Sequence, residues 1–354
     1  MKNYYPILVS KNGEIGALQH LEQHVKDEIC PIIEVINSTL IKFKTDKATG
    51  VETMSYSDKF ERFLRTHWNF FNNQIILDFS LFVEWDNHID FLRDTLIRLL
   101  NSGVNIIPSV QTNSTQSYKN LIRELVGNYN CNLCFRFSNS SGGFVHMDND
   151  IANLIGEFRI ELNNLIILTD LGQIDSGNYN TIGSSAGVVL QNLNYDLNQF
   201  ESVILASSSF PAGLGGFESS EEAHTIVRYE WSLFNNIARG NLDMIKYGDY
   251  GTKTAIFEDV NYMGSISLKY STSQEYVIYR GLRTVDHHLG HKQFISHSRK
   301  LIDSAYFSGN AFSWGDLRYF EISQQDLQNG SPGNSMQWVQ FSQNHHITLM
   351  HSIL

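Results

Sequence analysis

The chain has 354 residues, 42% apolar and 18% charged, proportions that supply a large globular core. Its net charge of −11 argues against a broad nucleic-acid surface, which needs clustered Lys and Arg, although a small basic pocket is compatible with it. No run approaches the ~20 apolar residues of a membrane span, and three cysteines in so long a chain do not make a disulfide framework, so a soluble protein of the reducing cytoplasm is expected.

Short apolar runs alternate with longer amphipathic stretches, the βαβα order of a parallel sheet covered by helices. Tyr4–Val9 reads as the first strand, followed by a helix from about Ile15 to Val25. Cys30–Ile36 is the second strand; a polar loop follows, then a helix at Ser57–Trp68. Gln74–Phe79 is the third, and its helix Asn87–Leu100 carries Ile89, Leu92, Leu96 and Leu99 at helical spacing. Asn105–Val110 with helix Gln116–Val126, and Asn132–Phe137 with helix Asp148–Glu161, are the fourth and fifth units. Leu165–Thr169 is the sixth strand, with an ill-defined segment up to Gln199. Ser202–Ala206 with helix Glu221–Ala238 is the seventh unit, and Met244–Tyr247 the eighth strand.

Eight units by about residue 250 are the number that closes a barrel. The predicted fold is therefore α/β, a (β/α)8 TIM-like barrel over residues 1–260, with a C-terminal extension over 261–354 packed on it. In that extension Ser265–Tyr270 and Glu275–Tyr279 read as a β-hairpin around Ser271-Thr272-Ser273-Gln274, and a helix is expected near His291–Ala305. A Gly/Ser/Asn-rich tail with Ser331-Pro332-Gly333-Asn334 ends in a strand-like Ile347–Met350, and the apolar content looks too sparse for a separate core.

The opening Tyr5-Pro6-Ile7, followed by Lys11-x-Gly13-Glu14-x-x-Ala17-Leu18 and then Pro31-Ile32-Ile33-Glu34, resembles the start of the beta protein family of phages and bacteria. Trp314-Gly315-Asp316, Trp338 and Asn344-His345-His346 are similar to the family's C-terminal end. The resemblance implies a setting in phage, mobile-element or anti-phage defence neighbourhoods. It singles out Lys11, Glu14, Glu34 and His346 and leaves the loop between Asn37 and Ser57 without a counterpart.

Active sites of β/α barrels sit at the C-terminal ends of the strands, and side chains two apart on a strand share a face. By that rule Glu34 follows Ile32, Asp78 follows Ile76, Gln111 follows Ser109, Arg136 follows Cys134 and Asp170 follows Leu168. Ser207 likewise follows Leu205, and Asp249 follows Tyr247, while the first strand leads into Lys11 and Glu14. Glu34, Asp78, Arg136, Asp170 and Asp249 are expected to converge on one cavity. Carboxylates gathered at one mouth repel, so Glu34, Asp78, Asp170 and Asp249 call for basic partners such as Lys11, Arg136 or Arg280, or for an oxygen-ligated Mg2+ or Mn2+. The loop Ser207-Ser208-Ser209 to Gly216 is rich in glycine and hydroxyls, a style that suits phosphate and flexible turns alike.

His287-His288-x-x-His291 lacks the carboxylate spacing of a metal motif and reads as surface or packing histidines. Cys131-x-x-Cys134 has no second pair. The expected function is a hydrolase in which Glu34, Asp78, Asp170 and Asp249 act as acids, bases or metal ligands on a small phosphate-bearing or nucleotide substrate. Lys11, Glu14, Gln111, Arg136, Ser207, Ser208, Arg280 and His346 would bind it. The alternative is a non-catalytic module that senses a ligand or grips a protein partner encoded nearby.

Overall fold

In the computed structural model the described residues are 2–68, 73–82, 85–138, 144, 146–219, 222–239, 244–258 and 264–354. The strands are β1 (Tyr4–Val9), β2 (Ile32–Glu34), β3 (Ile41–Thr45), β4 (Glu52–Tyr56), β5 (Gln74–Asp78), β6 (Asn105–Val110) and β7 (Leu133–Ser138). They continue with β8 (Leu165–Gln173), β9 (Ser202–Ser208), β10 (His224–Val227), β11 (Ile245–Asp249), β12 (Ser267–Ser271) and β13 (Glu275–Arg280). Eight of them close a parallel barrel in the order β1-β11-β9-β8-β7-β6-β5-β2, the predicted TIM-like α/β architecture. Among the described residues no helix is long and apolar enough to cross a membrane.

The barrel strands are apolar on both faces, as parallel strands covered by helices must be. Tyr5, Ile7, Ile32, Ile76, Ile107, Cys134, Ile166, Leu168, Ile204 and Ala206 form the inner cluster. Tyr4, Leu8, Ile33, Leu77, Phe135, Ile167, Leu205 and Tyr247 face outward and pack with the helices.

Three expectations are corrected. The helix expected over Glu221–Ala238 begins only at Tyr229; Glu221 lies outside the described residues, and His224–Val227 is β10, paired antiparallel with β13. Thr225, Ile226 and Val227 are β-branched and suit a strand once an edge is offered. The stretch left undefined before Gln199 contains a helix at Tyr179–Gln191. The strand-like Ile347–Met350 lies inside a helix, Ser335–Ile353, that starts in a capping box between Asn334 and Gln337. Its buried face includes Gln343, Asn344, His345 and His346, polar residues that hide the apolar period.

The predicted hairpin of the extension is present as β12 and β13, and β10 joins it in the order β10-β13-β12. Leu268, Tyr270, Val277, Tyr279, Phe294, Tyr319, Trp338 and Phe341 belong to an apolar cluster of its own, larger than the sequence suggested. The boundary expected at residues 260–261 lies outside the described residues. The terminal helix packs on the barrel as well. Asn344 Nδ2 donates to the Ala17 carbonyl at 3.1 Å, and a Cβ on Gly16 would lie 2.4 Å from Gln340 Nε2.

A buried polar network joins extension to barrel. Arg228, fully buried, donates to Glu230 Oε1 (2.9 Å), Tyr247 Oη (3.1 Å) and the Thr272 carbonyl (3.0 Å), and its guanidinium lies 3.4 Å from Asp249 Oδ2. Tyr4 Oη donates to Asp249 Oδ1 at 2.7 Å, and Tyr247 Oη to Oδ2 at 2.8 Å. His346 Nε2 lies 2.8 Å from Asp249 Oδ2, and its Nδ1 lies 3.0 Å from Ser271 Oγ. Burial pushes the His346 imidazole below its ordinary 6.5, against the pull of Asp249. The ring is thus neutral, with the Nε2–H donated to Asp249 and the Ser271 hydroxyl donating to Nδ1. Burial also works against the Asp249 charge, but His346, Arg228 and Tyr4 hold its carboxyl well below the usual range.

Removing one partner of a buried pair strands the other. Arg228→Leu, which leaves Asp249 and Glu230 without their cation, is expected to lower the unfolding free energy by about 3–5 kcal/mol in chemical denaturation. The pH dependence has a definite sign. A histidine held below its unfolded value contributes fully above pH ~6.5 and progressively less as the unfolded chain takes up its proton. The stability difference between wild type and His346→Gln should therefore be largest at pH 7.5 and shrink toward pH 5, as read from urea melts at both values.

Candidate functional site

Glu34, Asp78, Ser109, Arg136 and Asp170 end β2, β5, β6, β7 and β8, strands that are consecutive around the barrel. All continue the inner phase of Ile32, Ile76, Ile107, Cys134 and Leu168. They form an arc at the C-terminal mouth with Arg136 at its centre. Arg136 Nη2 donates to Glu34 Oε1 at 2.8 Å and to Asp170 Oδ2 at 2.7 Å, and Nε reaches the same Asp170 oxygen at 3.1 Å. Asp78 Oδ2 lies 3.3 Å from Nη1 and accepts from Ser109 Oγ at 2.8 Å, while its Oδ1 accepts from the Ser80 N–H at 2.9 Å.

Three groups outside the predicted set complete the mouth from the far side. Tyr250 Oη donates to Asp170 Oδ2 at 2.7 Å and lies 3.0 Å from Arg136 Nη2. Lys253 Nζ lies 3.2 Å from Glu14 Oε2 and 3.6 Å from Glu34 Oε2. Glu14 in turn accepts from the Val9 N–H at 2.7 Å. Lys269 Nζ donates to the Thr252 carbonyl at 3.3 Å, and burial pushes its amine down to about 8.

Burial opposes the charge on both main partners, and their mutual attraction overcomes it. Asp78 sits below the usual carboxylate range through Arg136 and the hydrogen bonds from Ser80 and Ser109. Arg136 is raised further by Tyr250, Asp78, Asp170 and Glu34. Burial and Asp170 raise the Tyr250 phenol, so its hydroxyl keeps its proton. Not every carboxylate is equally engaged. Both oxygens of Asp170 accept hydrogen bonds, Oδ1 from the Gly172 N–H at 3.0 Å. Among the described residues Glu34 Oε2 has the 3.6 Å contact with Lys253 and no hydrogen bond. Arg136 Nη1 is buried and has no hydrogen-bond partner among the described residues.

The remaining predicted residues lie elsewhere. Asp249 and Ser207 face outward, in phase with Tyr247 and Leu205 of the helix-side cluster, so Asp249 is not in the mouth. The inner positions of those strands are Ala206, Gly248 and Tyr250. A Cβ on Gly248 would lie 3.0 Å from that of Ala206, which leaves room for no larger residue. His346 is fully buried in the Asp249 network. Ser208 is buried and inward, but its hydroxyl donates to the Lys253 carbonyl at 2.7 Å and accepts from the Phe210 N–H at 3.1 Å, a fixed loop contact. Gln111 follows Ser109 at the rim, and Lys11 Nζ lies 5.1 Å from the Phe257 ring centroid. Arg280 pairs with Ser267 in the extension sheet, at the end of β13. Among those residues no three His, Cys, Asp or Glu side chains are grouped to hold a metal ion; Arg136 stands where the carboxylates meet.

Arg136→Met would leave Glu34, Asp78 and Asp170 buried without their shared cation, a loss of about 3–5 kcal/mol at pH 7. Without Arg136, burial would favour the neutral form of Asp78, so the deficit should narrow as pH falls to 4.5. A deficit that is constant between pH 7 and 4.5 would contradict this electrostatic assignment.

No curated protein matches the chain. The family model described as Beta protein matches residues 4–352, which spans the barrel, the mouth and the extension, and the chain belongs to the Beta protein family.

Proposed function

We propose that the barrel mouth is a hydrolytic active site for a small phosphate-bearing substrate, with Glu34 as its acid/base group. The observation that carries the reading is Nη1 of Arg136 at the centre of the arc, which makes no hydrogen bond among the described residues and has the 3.3 Å ion-pair contact with Asp78 alone. A guanidinium buried only for structure would have its donors satisfied, whereas a substrate oxygen would complete this one. Glu34 has an oxygen left to take a proton from water, and Lys253 stands beside it to balance the charge. Asp170 and Tyr250 hold Arg136 in place, a positioning role rather than a reacting one. Fixed cations of this kind stabilise negative charge that develops in a transition state. Action in the cytoplasm, in a phage or defence setting, belongs to the same proposal, with Mg2+ or Mn2+ as candidate cofactors.

A second reading, a recognition module for a ligand or a neighbouring protein, is favoured by the full hydrogen bonding of Asp78 and Asp170. Saturated carboxylates make a rigid surface rather than a base.

Turnover across a panel of nucleotides, phosphoesters and glycosides, with and without Mg2+ or Mn2+, separates the two. Glu34→Gln, whose amide oxygen can still accept from Arg136 Nη2, is expected to lower turnover by ~100-fold or more when assayed well below the variant's own melting temperature. An inactive wild type whose partner binding is lost in Glu34→Gln would transfer the site to recognition.

A further inference from the structure

The mouth holds Glu14, Glu34, Asp78 and Asp170 against Arg136, Lys253 and Lys269, which leaves negative charge in excess. A phosphoryl group placed among those carboxylates would be repelled. Its countercharge has to come from nearby. One strand away, where β1 and β2 end, a cavity of about 510 Å³ is lined by Lys11, Lys42 and Lys59 and by no Asp or Glu. In a chain of 37 acidic and 26 basic residues, an acid-free cavity with three lysines departs from the overall balance.

Each element of the wall brings one cation. Lys11 follows β1, Lys42 stands on β3 of the hairpin after β2, and Lys59 begins the helix Lys59–Phe63. Lys42 and Lys59 have no ion-pair partner among the described residues. These two like charges on one cavity wall, without an ion-pair partner among the described residues, favour an anion between them. The floor is polar, with Ser10 Oγ 2.8 Å from Thr39 Oγ1, and Phe60 supplies an apolar side. The first turn of the helix Asn12–Gln19 opens on the same space with no side-chain cap, which adds the positive end of a helix dipole. Mouth and cavity adjoin, because the Ser10 N–H donates to the Glu34 carbonyl at 2.9 Å.

We propose that this lysine cavity binds the phosphoryl group of the substrate, while the bond that reacts lies over Glu34 and Arg136. The inference rests on the reading above for the substrate's reaction, but the anion site stands on its own geometry. Lys11, Lys42 and Lys59 are exposed, so their substitution spares the core.

The test is titration calorimetry with inorganic pyrophosphate at low ionic strength on the full chain. Wild type should bind, and the double variant Lys42→Gln/Lys59→Gln should weaken binding by about tenfold or more, as expected for lost hydrogen bonds to a charged group. Lys44→Gln/Lys47→Gln removes the same net charge from the hairpin tip and should stay within about twofold of wild type, since screening limits its reach. Glu34→Gln should retain pyrophosphate binding. Absence of binding by wild type, binding untouched in Lys42→Gln/Lys59→Gln, or an equal loss in the hairpin-tip control overturns the proposal. Binding through the cavity by a protein with no turnover would uphold the anion site and sink the enzymatic reading alone.

Discussion

A guanidinium withdrawn from water must be met by negative charge and hydrogen-bond acceptors, or the fold that buries it is unstable. This chain meets that demand at two places. Arg136 gathers the ends of β2, β5 and β8 around the end of β7, inside the barrel. Arg228 gathers β11, the start of the following helix and the β12–β13 turn, outside it. The same chemistry has two outcomes. Every nitrogen of Arg228 is engaged and the group is sealed under the extension, where Met350 and Tyr276 close it off. Arg136 has one nitrogen, Nη1, that makes no hydrogen bond among the described residues and meets Asp78 only as an ion pair at 3.3 Å, on the face where barrels carry their sites. The first guanidinium is completed by its own chain as a joint, whereas the second is completed less fully at an open mouth.

The arc at the mouth can be read from single strands because a charge interrupts an apolar alternation. Ile76 and Asp78, Cys134 and Arg136, Leu168 and Asp170 each share a face, and the inner cluster confirms the phase. The same rule misplaces Ser207 and Asp249, since β9 is apolar on both faces and β11 carries its apolar Ile245 and Tyr247 on the outer one, so following the apolar residues leads outward. The signal that settles it is Gly248, a residue whose missing side chain makes space where Ala206 and Tyr5 close in. Taken as inner, Gly248 points to Tyr250 and to the loop that carries Lys253. Those two residues were hidden by one error of phase.

The terminal helix and β10 escaped sequence reasoning for a different reason. His345 and His346 are buried through partners distant in the chain, Asp316 and Ser271 for the first, Asp249 and Ser271 for the second. A helix whose buried face is polar shows no hydrophobic period, and its polarity becomes intelligible only once those partners are in place. For the same reason β10 is invisible locally: His224–Val227 is a strand because β13 presents an edge to it.

Strand ends and loops also divide the charge between them. The carboxylates and Arg136 belong to strands or their immediate ends, where backbone pairing fixes them within the barrel's symmetry. The three lysines belong to the segments after β1 and β2, including a hairpin that the barrel does not need for closure. Charge set on strands is costly to rearrange, because each change strands a buried partner, whereas exposed loop lysines change freely. A barrel built this way holds the geometry of its mouth constant while the charge of its loops is left free to vary. The acidic mouth and the basic cavity thus differ in what a change costs, because buried ion pairs fix the first and exposed side chains make up the second.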